Sequence, residues 1–340
     1  MRLRSSLHAA ALVAAVLLAA AVTAVALDPY RLVQLEYGRQ RLVAGLSADS
    51  MRAAGHRWSY AYSDDAPADA PTVVMLHGYT GSKENWYPLA RRLHGRYRLL
   101  IPDLPGWGAS ERRDGQDYGY AAQAQRVHAF LQARGVRTPV VLLGHSMGGG
   151  IAAVVAARYP DDVRALGLLA ASGVRFRDNA FGRDVVAGRN PFGVADQASL
   201  SNYLDILFHD PAARPRIPWP ASRGFIAHRR HDGAFEQQVL DRIGRGDAAL
   251  LPGALARRIA QPTLLLWCRQ DRVIDPSAAG LYAARIARTR QVLLDGCGHM
   301  SLVERPDEVA QAVDALIATA PAAVPAASPP ASPHPDRKSP

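Results

Sequence analysis

The sequence predicts an α/β protein in which a mostly parallel central sheet is flanked by helices. Short apolar runs typical of buried strands alternate with helical patterns, and they lie at 72–76, 97–101, 139–143, 163–170, 262–267 and 291–294. Such alternation favours a parallel sheet, because each return to the same edge needs a crossover helix. Between residues 173 and 255 the alternation stops, and short helical patterns broken by prolines replace it. We therefore expect one sheet-based core that carries a helical insertion.

The composition fits a globular body and argues against nucleic-acid binding. The chain has 340 residues, of which 49% are hydrophobic and 21% are charged. Its formal net charge is +10, yet Lys83 and Lys338 are the only lysines and the arginines are scattered. A nucleic-acid footprint needs a basic stripe or a motif, which this sequence lacks. The charge is compatible with attraction to an anionic membrane surface.

Residues 1–27 have the pattern of a membrane anchor or of a signal peptide. Arg2 and Arg4 precede an apolar stretch at 9–27, whose 19 residues just suffice to cross a hydrocarbon core. The Ala-Val-Ala at 24–26 also offers a signal-peptidase site. No cysteine follows directly, which excludes a lipoprotein anchor. In either case the basic N-terminus predicts a body outside the cytoplasm, periplasmic or extracellular if the source is bacterial.

The rest of the chain divides by composition. Residues 28–50 form an amphipathic lead-in, because four leucines have roughly helical spacing: Leu32, Leu35, Leu42 and Leu46. The predicted core occupies 51–172 and 256–320, and the predicted cap is the insertion at 173–255. An amphipathic helix is expected there from Leu200, Tyr203, Leu204, Leu207 and Phe208. The alternative is a helical subdomain with no role at the site. The Pro-, Ala- and Ser-rich tail at 321–340 is predicted to be disordered.

The strongest local signal is the turn that contains Ser146. An apolar run ends at Gly144-His145-Ser146-Met147-Gly148, and an Ala-rich helical pattern follows. The pattern G-x-S-x-G between a strand and a helix is a nucleophile elbow, which exposes the serine hydroxyl at the carboxyl end of a sheet. Gly144 and Gly148 flank a strained turn that side chains would crowd. The alternative is a glycine-rich turn without chemistry.

A serine hydroxyl needs a base to accept its proton and a third group to orient that base. His299 follows the last predicted strand and Asp271 follows the one before, so both should lie on the same rim as Ser146. Asp275 and Asp295 are rivals for the acidic position. We expect Asp295 to face solvent or to cap the turn before His299, which favours Asp271.

The chain resembles the α/β-hydrolase superfamily over residues 57–318. The motifs are His77-Gly78, Asp103-Leu104-Pro105-Gly106, the Ser146 elbow, Asp271-Arg272-Val273-Ile274 and Gly298-His299, with the family's chain order Ser, Asp, His. Within it, the chain is most similar to membrane-anchored monoacylglycerol lipases and related small bacterial lipases. The resemblance rests also on the N-terminal anchor, on Tyr79 and on Glu304-Arg305-Pro306. It implies a serine hydrolase that cleaves carboxylic esters of medium or long acyl chains.

The same resemblance implies where the substrate sits. In this fold the oxyanion hole consists of the backbone N–H groups of the residue after the nucleophile and of a residue in the first loop that leads into a helix, here Met147 and Tyr79. Substrate contacts are expected from His77, Gly78, Tyr79, His145 and Trp107. No H-E-x-x-H, P-loop or dinucleotide signature occurs, so we expect neither a metal nor an organic cofactor.

Two points stay open at this level. Cys268 and Cys297 follow two strands that should be neighbours; two unpaired buried thiols are what we expect, and a disulfide between the Asp271 and His299 loops is the alternative. The leading function is a lipase or esterase. The alternatives are a carbon–carbon bond hydrolase with the same triad and a non-catalytic binding protein on the same fold.

Overall fold

An eight-stranded mixed sheet forms the centre of the computed structural model, which describes residues 2–320. Its strands are β1 (Ser47–Ala53), β2 (His56–Ser63), β3 (Thr72–Leu76), β4 (Arg98–Pro102), β5 (Val140–His145), β6 (Val163–Leu169), β7 (Thr263–Cys268) and β8 (Thr289–Leu294). Their order is β1-β2-β4-β3-β5-β6-β7-β8. Only β2 runs against its neighbours, and all other pairs are parallel. The predicted fold class is confirmed, and the tail at 321–340 lies outside the described residues.

Helices cover both faces of this sheet. The α-helices of residues 2–320 are α1 (Arg2–Leu27), α2 (Tyr30–Val43), α3 (Tyr87–Leu93), α4 (Tyr120–Arg134), α5 (Met147–Arg158), α6 (Ala180–Val186), α7 (Gln197–Leu207), α8 (Ala221–Gly244), α9 (Leu251–Leu255), α10 (Ser277–Ala283), α11 (Ser301–Glu304) and α12 (Pro306–Thr319), of which several pack on the sheet and others form the insertion. Because side chains alternate across a strand, Leu142 and Leu143 of β5 belong to two different buried clusters, one on each face. This double coverage explains why the central strands are continuous apolar runs.

The first strand, β1, is not predicted by the sequence. Its first residues fall within the predicted lead-in at 28–50. No strand was predicted there because this edge strand is mostly exposed and carries no apolar alternation. It pairs with β2 through a two-residue turn at Ala54 and Gly55, whose φ angles are 49° and 76°. Two positive φ angles are typical of a type I′ hairpin turn, but the usual Asn-Gly or Asp-Gly signal is absent here.

The segment predicted to be a cap, residues 173–255, lies between β6 and β7 along the chain and contains α6, α7, α8 and α9; it is called the cap below. The predicted amphipathic helix is confirmed as α7, in which Leu200, Tyr203, Leu204 and Leu207 are buried. Asp196 begins this helix, since its side chain accepts a hydrogen bond from the amide of Ser199.

The lead-in folds as helix α2 and packs against helix α8 of the cap. The ring of Tyr30 stacks on His228 with centroids 4.2 Å apart. A side chain at Gly224 would collide with the backbone of Tyr30, so this glycine permits the close approach of the two helices. The predicted helix is confirmed, but its predicted apolar face is partly wrong, because Leu35 and Leu42 are exposed.

The N-terminal helix α1 presents exposed apolar side chains, among them Leu12, Val16 and Leu17. Among residues 2–320, no single helix combines the length and apolarity needed to cross a membrane. The segments Leu12–Leu27 and Tyr30–Val43 meet those criteria only when taken together, and they are bent by 111° relative to each other.

Candidate active site

Ser146 occupies the sharp turn between β5 and α5. Its φ of 54° and ψ of −120° lie in a region that residues with side chains rarely adopt. A methyl group at Gly144 would collide with the carbonyl oxygen of Gly148, and one at Gly148 would collide with the carbonyl oxygen of Leu76. The predicted steric role of these two glycines is confirmed. The turn therefore depends on close backbone contacts that only glycine allows.

The loops after β7 and β8 bring Asp271 and His299 together. Nδ1 of His299 lies 2.9 Å from Oδ2 of Asp271, and both side chains are buried. The other carboxylate oxygen of Asp271 accepts hydrogen bonds from the amides of Val273 and Ile274, at 2.8 and 3.0 Å. A carboxylate accepts, so Nδ1 of His299 carries the proton and Nε2 keeps its lone pair. This tautomer is the one a general base needs.

The two rival carboxylates have other partners. Asp275 accepts a hydrogen bond from the amide of Ser277 at 2.9 Å. Asp295 accepts from the side chain of Gln270 at 2.6 Å. Asp271 is thus the one of these three acids that contacts His299.

The loop after β3 lies directly against the elbow. A Cβ built on Gly78 would sit 3.0 Å from Cβ of Ser146. Tyr79 follows in this loop, and Met147 begins α5, where the first N–H groups of a helix have no partner within the helix. Met147 thus directly follows Ser146, and Tyr79 directly follows the glycine that lies against Ser146, so both remain candidates for the oxyanion hole.

His145 holds the His299 loop in place. Its Nε2 lies 2.8 Å from the carbonyl oxygen of His299, so this nitrogen donates. Burial, together with the neighbouring His299 ring, keeps the pKa of His145 well below the usual histidine value. A neutral His145 adds no positive charge next to the His299 ring, whose centroid lies 4.7 Å away. His145 also lines the first of the two cavities that border Ser146.

Two predicted substrate contacts need correction. His77 is fully buried, with Nδ1 donating to the carbonyl of Gly78 at 2.9 Å and Nε2 accepting from the amide of Leu104 at 3.0 Å. Trp107 is also buried and packs edge-on against the ring of Tyr79, with centroids 5.4 Å apart. Neither side chain lines the cavities that border Ser146. The hydrogen bonds of His77 fix the loop after β3, and Trp107 packs against the ring of Tyr79.

Glu304, which in the sequence is recognisable only as part of the Glu304-Arg305-Pro306 motif, is a structural determinant of the site. Its carboxylate is buried and accepts a hydrogen bond from the amide of Gly298 at 2.8 Å. Its other oxygen accepts from the amides of His209 and Asp210 in the cap, at 2.9 and 2.8 Å. One carboxylate thus links the residue before His299 to the cap. No local pattern signals this, because the cap amides lie about 95 positions away along the chain.

The two cysteines form a disulfide, Cys268–Cys297, and the expectation of two unpaired thiols was wrong. Cys268 ends β7 just before the Asp271 loop, and Cys297 lies two residues before His299. The strands β7 and β8 are neighbours in the sheet, which brings the two loops within bonding distance. The bond ties the carboxylate loop to the histidine loop.

Ser146 lies where two cavities meet. The first, of about 870 Å³, is bordered by His145, His299, the helix α2 and the cap helix α7. The second, of about 730 Å³, is bordered by Met147, the cap helices α6 and α8, and the loop after Asp271. Tyr79, Ser146 and Phe192 line both. A buried serine with access to two cavities can receive a substrate that extends in two directions.

A serine in an elbow turn, a histidine–aspartate pair and a sheet of this strand order define one class of protein. The family profile described as alpha/beta hydrolase fold matches residues 71–306, and the chain belongs to this family.

Particular relatives narrow the comparison. The chain is similar to Lipase 1 of Psychrobacter immobilis, with 30% identity across 73% of this chain and 77% of that protein. It is also similar to monoacylglycerol lipase ABHD6 of Homo sapiens, with 26% identity across 86% of this chain and 88% of that protein. Among solved structures, a membrane phospholipase A described as a bacterial virulence factor has a TM-score of 0.79 and 32% identity, covering 90% of this chain and 97% of that one.

Proposed function

We propose that this protein is a lipase-type serine hydrolase that cleaves carboxylic esters through an acyl-enzyme intermediate. The observation that carries the proposal is the buried Asp271–His299 pair, joined at 2.9 Å, in the same rim as the elbow serine Ser146. Carboxylic ester hydrolysis is also the activity class that the names of its lipase relatives support.

In the first half of the reaction, Oγ of Ser146 attacks the ester carbonyl carbon while Nε2 of His299 accepts the hydroxyl proton. The carbonyl electron pair moves to oxygen and forms a tetrahedral oxyanion. When this intermediate collapses, the bond to the alcohol oxygen breaks, and the imidazolium returns its proton to that oxygen. Water then attacks the acyl-enzyme with the same proton relay, which releases the acid and restores Ser146.

The amides of Tyr79 and Met147 would stabilise the oxyanion. Donors that are fixed in place before charge develops are effective because they need no reorganisation, and the loss of one costs about 3–4 kcal/mol of barrier. Two features hold the Tyr79 loop rigid. The Tyr79 hydroxyl donates to the carbonyl of Glu236 at 2.7 Å, and His77 bonds to the loop after β4 at 3.0 Å.

The substrate class follows from the cavities and the relatives. Apolar side chains of the cap, such as Leu204, Phe225 and Leu240, border the two cavities. Such walls suit acyl chains of medium or long length. Relatives named as lipases and as monoacylglycerol lipases support lipid esters, including monoacylglycerols, as substrates.

We further propose that the N-terminal segment associates with a membrane and that the body lies outside the cytoplasm. Exposed apolar residues on α1 and the relative named as a membrane phospholipase support the first point. The disulfide Cys268–Cys297 supports the second, since disulfides persist in oxidising compartments. Whether the segment is an anchor or is cleaved as a signal peptide is read directly from the N-terminal sequence and mass of the mature protein.

A panel of p-nitrophenyl esters with graded acyl chains tests the proposal. We expect wild-type activity to peak at medium or long chains and to vanish in Ser146→Ala. A vinylogous diketone of the ring-cleavage type serves as the comparison substrate. Turnover of the diketone without ester turnover would instead favour the carbon–carbon bond hydrolase, and turnover of neither would favour a binding protein.

A further inference from the structure

We infer that the two cavities bind the two arms of the ester separately: the acyl chain lies in the second cavity and the alcohol part in the first. The inference rests on the proposed triad and adds to it the direction in which the substrate lies. It also assigns Leu240 and Leu204 as residues that determine acyl and alcohol specificity, respectively.

The direction follows from where the proton must go. The tetrahedral carbon bonded to Oγ of Ser146 carries three further groups: the oxyanion, the acyl chain and the alcohol oxygen. The alcohol oxygen must lie beside Nε2 of His299, because the imidazolium protonates it as it leaves. His299 borders the first cavity and does not border the second. The alcohol part therefore extends into the first cavity.

The acyl chain takes the remaining direction. The oxyanion is held between the amides of Tyr79 and Met147, and Met147 borders the second cavity only. Beyond Met147 this cavity is bordered by buried apolar side chains of the cap, including Val185, Leu240 and Ile243. A hydrocarbon chain can bury its methylenes against these apolar side chains.

The walls of the first cavity fit an alcohol that is itself an amphiphile. Glu84 and Asn85 provide polar groups, whereas Leu204, Leu207 and Phe225 provide apolar surface. Its volume of about 870 Å³ is at the upper end of the range for cavities that enclose drug-sized ligands, far more than a glycerol head group needs. Besides the glycerol of a monoacylglycerol, the first cavity therefore accommodates an alcohol part that carries a polar group followed by an apolar chain.

Two matched substitutions test the assignment. Leu204 in α7 borders only the first of the two cavities, and Leu240 in α8 borders only the second. Both are nearly buried, with exposed fractions of 8% and 5%. Leu204→Trp and Leu240→Trp each place an indole into one cavity. Leu204→Ala and Leu240→Ala enlarge the same cavities and serve if a tryptophan variant fails to fold.

The assay uses two mirrored substrate series: methyl esters of linear acids, which vary the acyl arm, and linear alkyl butanoates, which vary the alcohol arm. In the wild type, kcat/KM should rise along both series by up to about fourfold per added methylene. Leu240→Trp should shorten the acyl optimum, with at least about a tenfold loss for the longest acids, and leave the relative rates along the alcohol series unchanged. Leu204→Trp should do the reverse, and the alanine variants should lengthen the matching optimum.

The assignment is overturned if Leu240→Trp changes the alcohol series and Leu204→Trp the acyl series, or if both variants change both series equally. Ester hydrolysis itself would remain in either case. If the wild-type kcat/KM does not depend on chain length along the alcohol series, the inference that the first cavity binds an amphiphilic alcohol is overturned. Absence of turnover in both series would instead remove the proposed function, and the assignment with it.

Discussion

Glu304 provides a sharp test of how the cap supports the histidine loop, through the substitution Glu304→Gln. The glutamine side chain has one acceptor oxygen and one donor NH₂ group, whereas the native carboxylate accepts from three amides on two sides. If the oxygen keeps its two cap partners, the NH₂ group faces the buried amide of Gly298. That amide then loses a charge-assisted bond worth about 1.5–3 kcal/mol. The free energy of unfolding should fall by about this amount.

The same substitution should slow catalysis, because Gly298 immediately precedes His299. A displacement of the imidazole by about 1 Å can cost up to about 10²-fold in rate. We expect kcat to fall by about 10- to 100-fold, with little change in KM, since the cavity walls stay intact. The measurements are steady-state ester kinetics and urea unfolding followed by tryptophan fluorescence.

Glu308→Gln is the matched control, because Glu308 is exposed in the neighbouring helix α12 and should behave as wild type. A Glu304→Gln protein that is destabilised but keeps the control's kcat would make Glu304 a purely structural residue. A protein with unchanged stability would refute the reasoning about the three amides.

Two further predictions concern stability. Replacing both Cys268 and Cys297 by alanine should lower the free energy of unfolding by about 3–4 kcal/mol, because the crosslink closes a loop with a sequence separation of 29. Two titratable free thiols in the denatured, unreduced wild type would show that the disulfide is absent and would contradict this prediction. Burial lowers the pKa of His77 to about 4, below its unfolded value of 6.5, so the unfolded chain binds more protons between these limits. The free energy of unfolding should therefore fall by about 3 kcal/mol as the pH drops from about 6.5 to 4, and His77→Gln should reduce that pH dependence. Urea unfolding at several pH values measures it. An equal change of unfolding free energy with pH in the variant would speak against His77 as the source.

Most strands of the sheet could be predicted from the sequence because they are buried on both faces. Runs such as the one at 139–143 need no knowledge of their neighbours to be recognised, and the glycines around Ser146 mark the turn locally. The edge strand β1 was missed for the opposite reason, since its exposed residues are polar and its turn lacks Asn or Asp. Local pattern thus identifies what is buried and tightly turned.

The arrangement of side chains around the site was harder to predict from the sequence. His77 and Trp107 belong to the right loops, but whether a side chain points into a cavity or away from it depends on contacts such as those with Leu104 and Tyr79. The two carboxylate oxygens of Glu304 reach partners on different parts of the chain, and the helix α2 borders a cavity whose other residues lie far along the sequence. These are long-range consequences of packing that periodicity does not encode.

The central claim, that Ser146 and His299 act as one nucleophile and base, is tested most directly by labelling with a fluorophosphonate probe and mapping the adduct by mass spectrometry. The wild type should be labelled at Ser146, and His299→Ala should slow labelling by about 10³-fold or more, because the hydroxyl then has no base to accept its proton. Labelling at a different residue, or labelling of Ser146 in His299→Ala at the wild-type rate, would contradict the account.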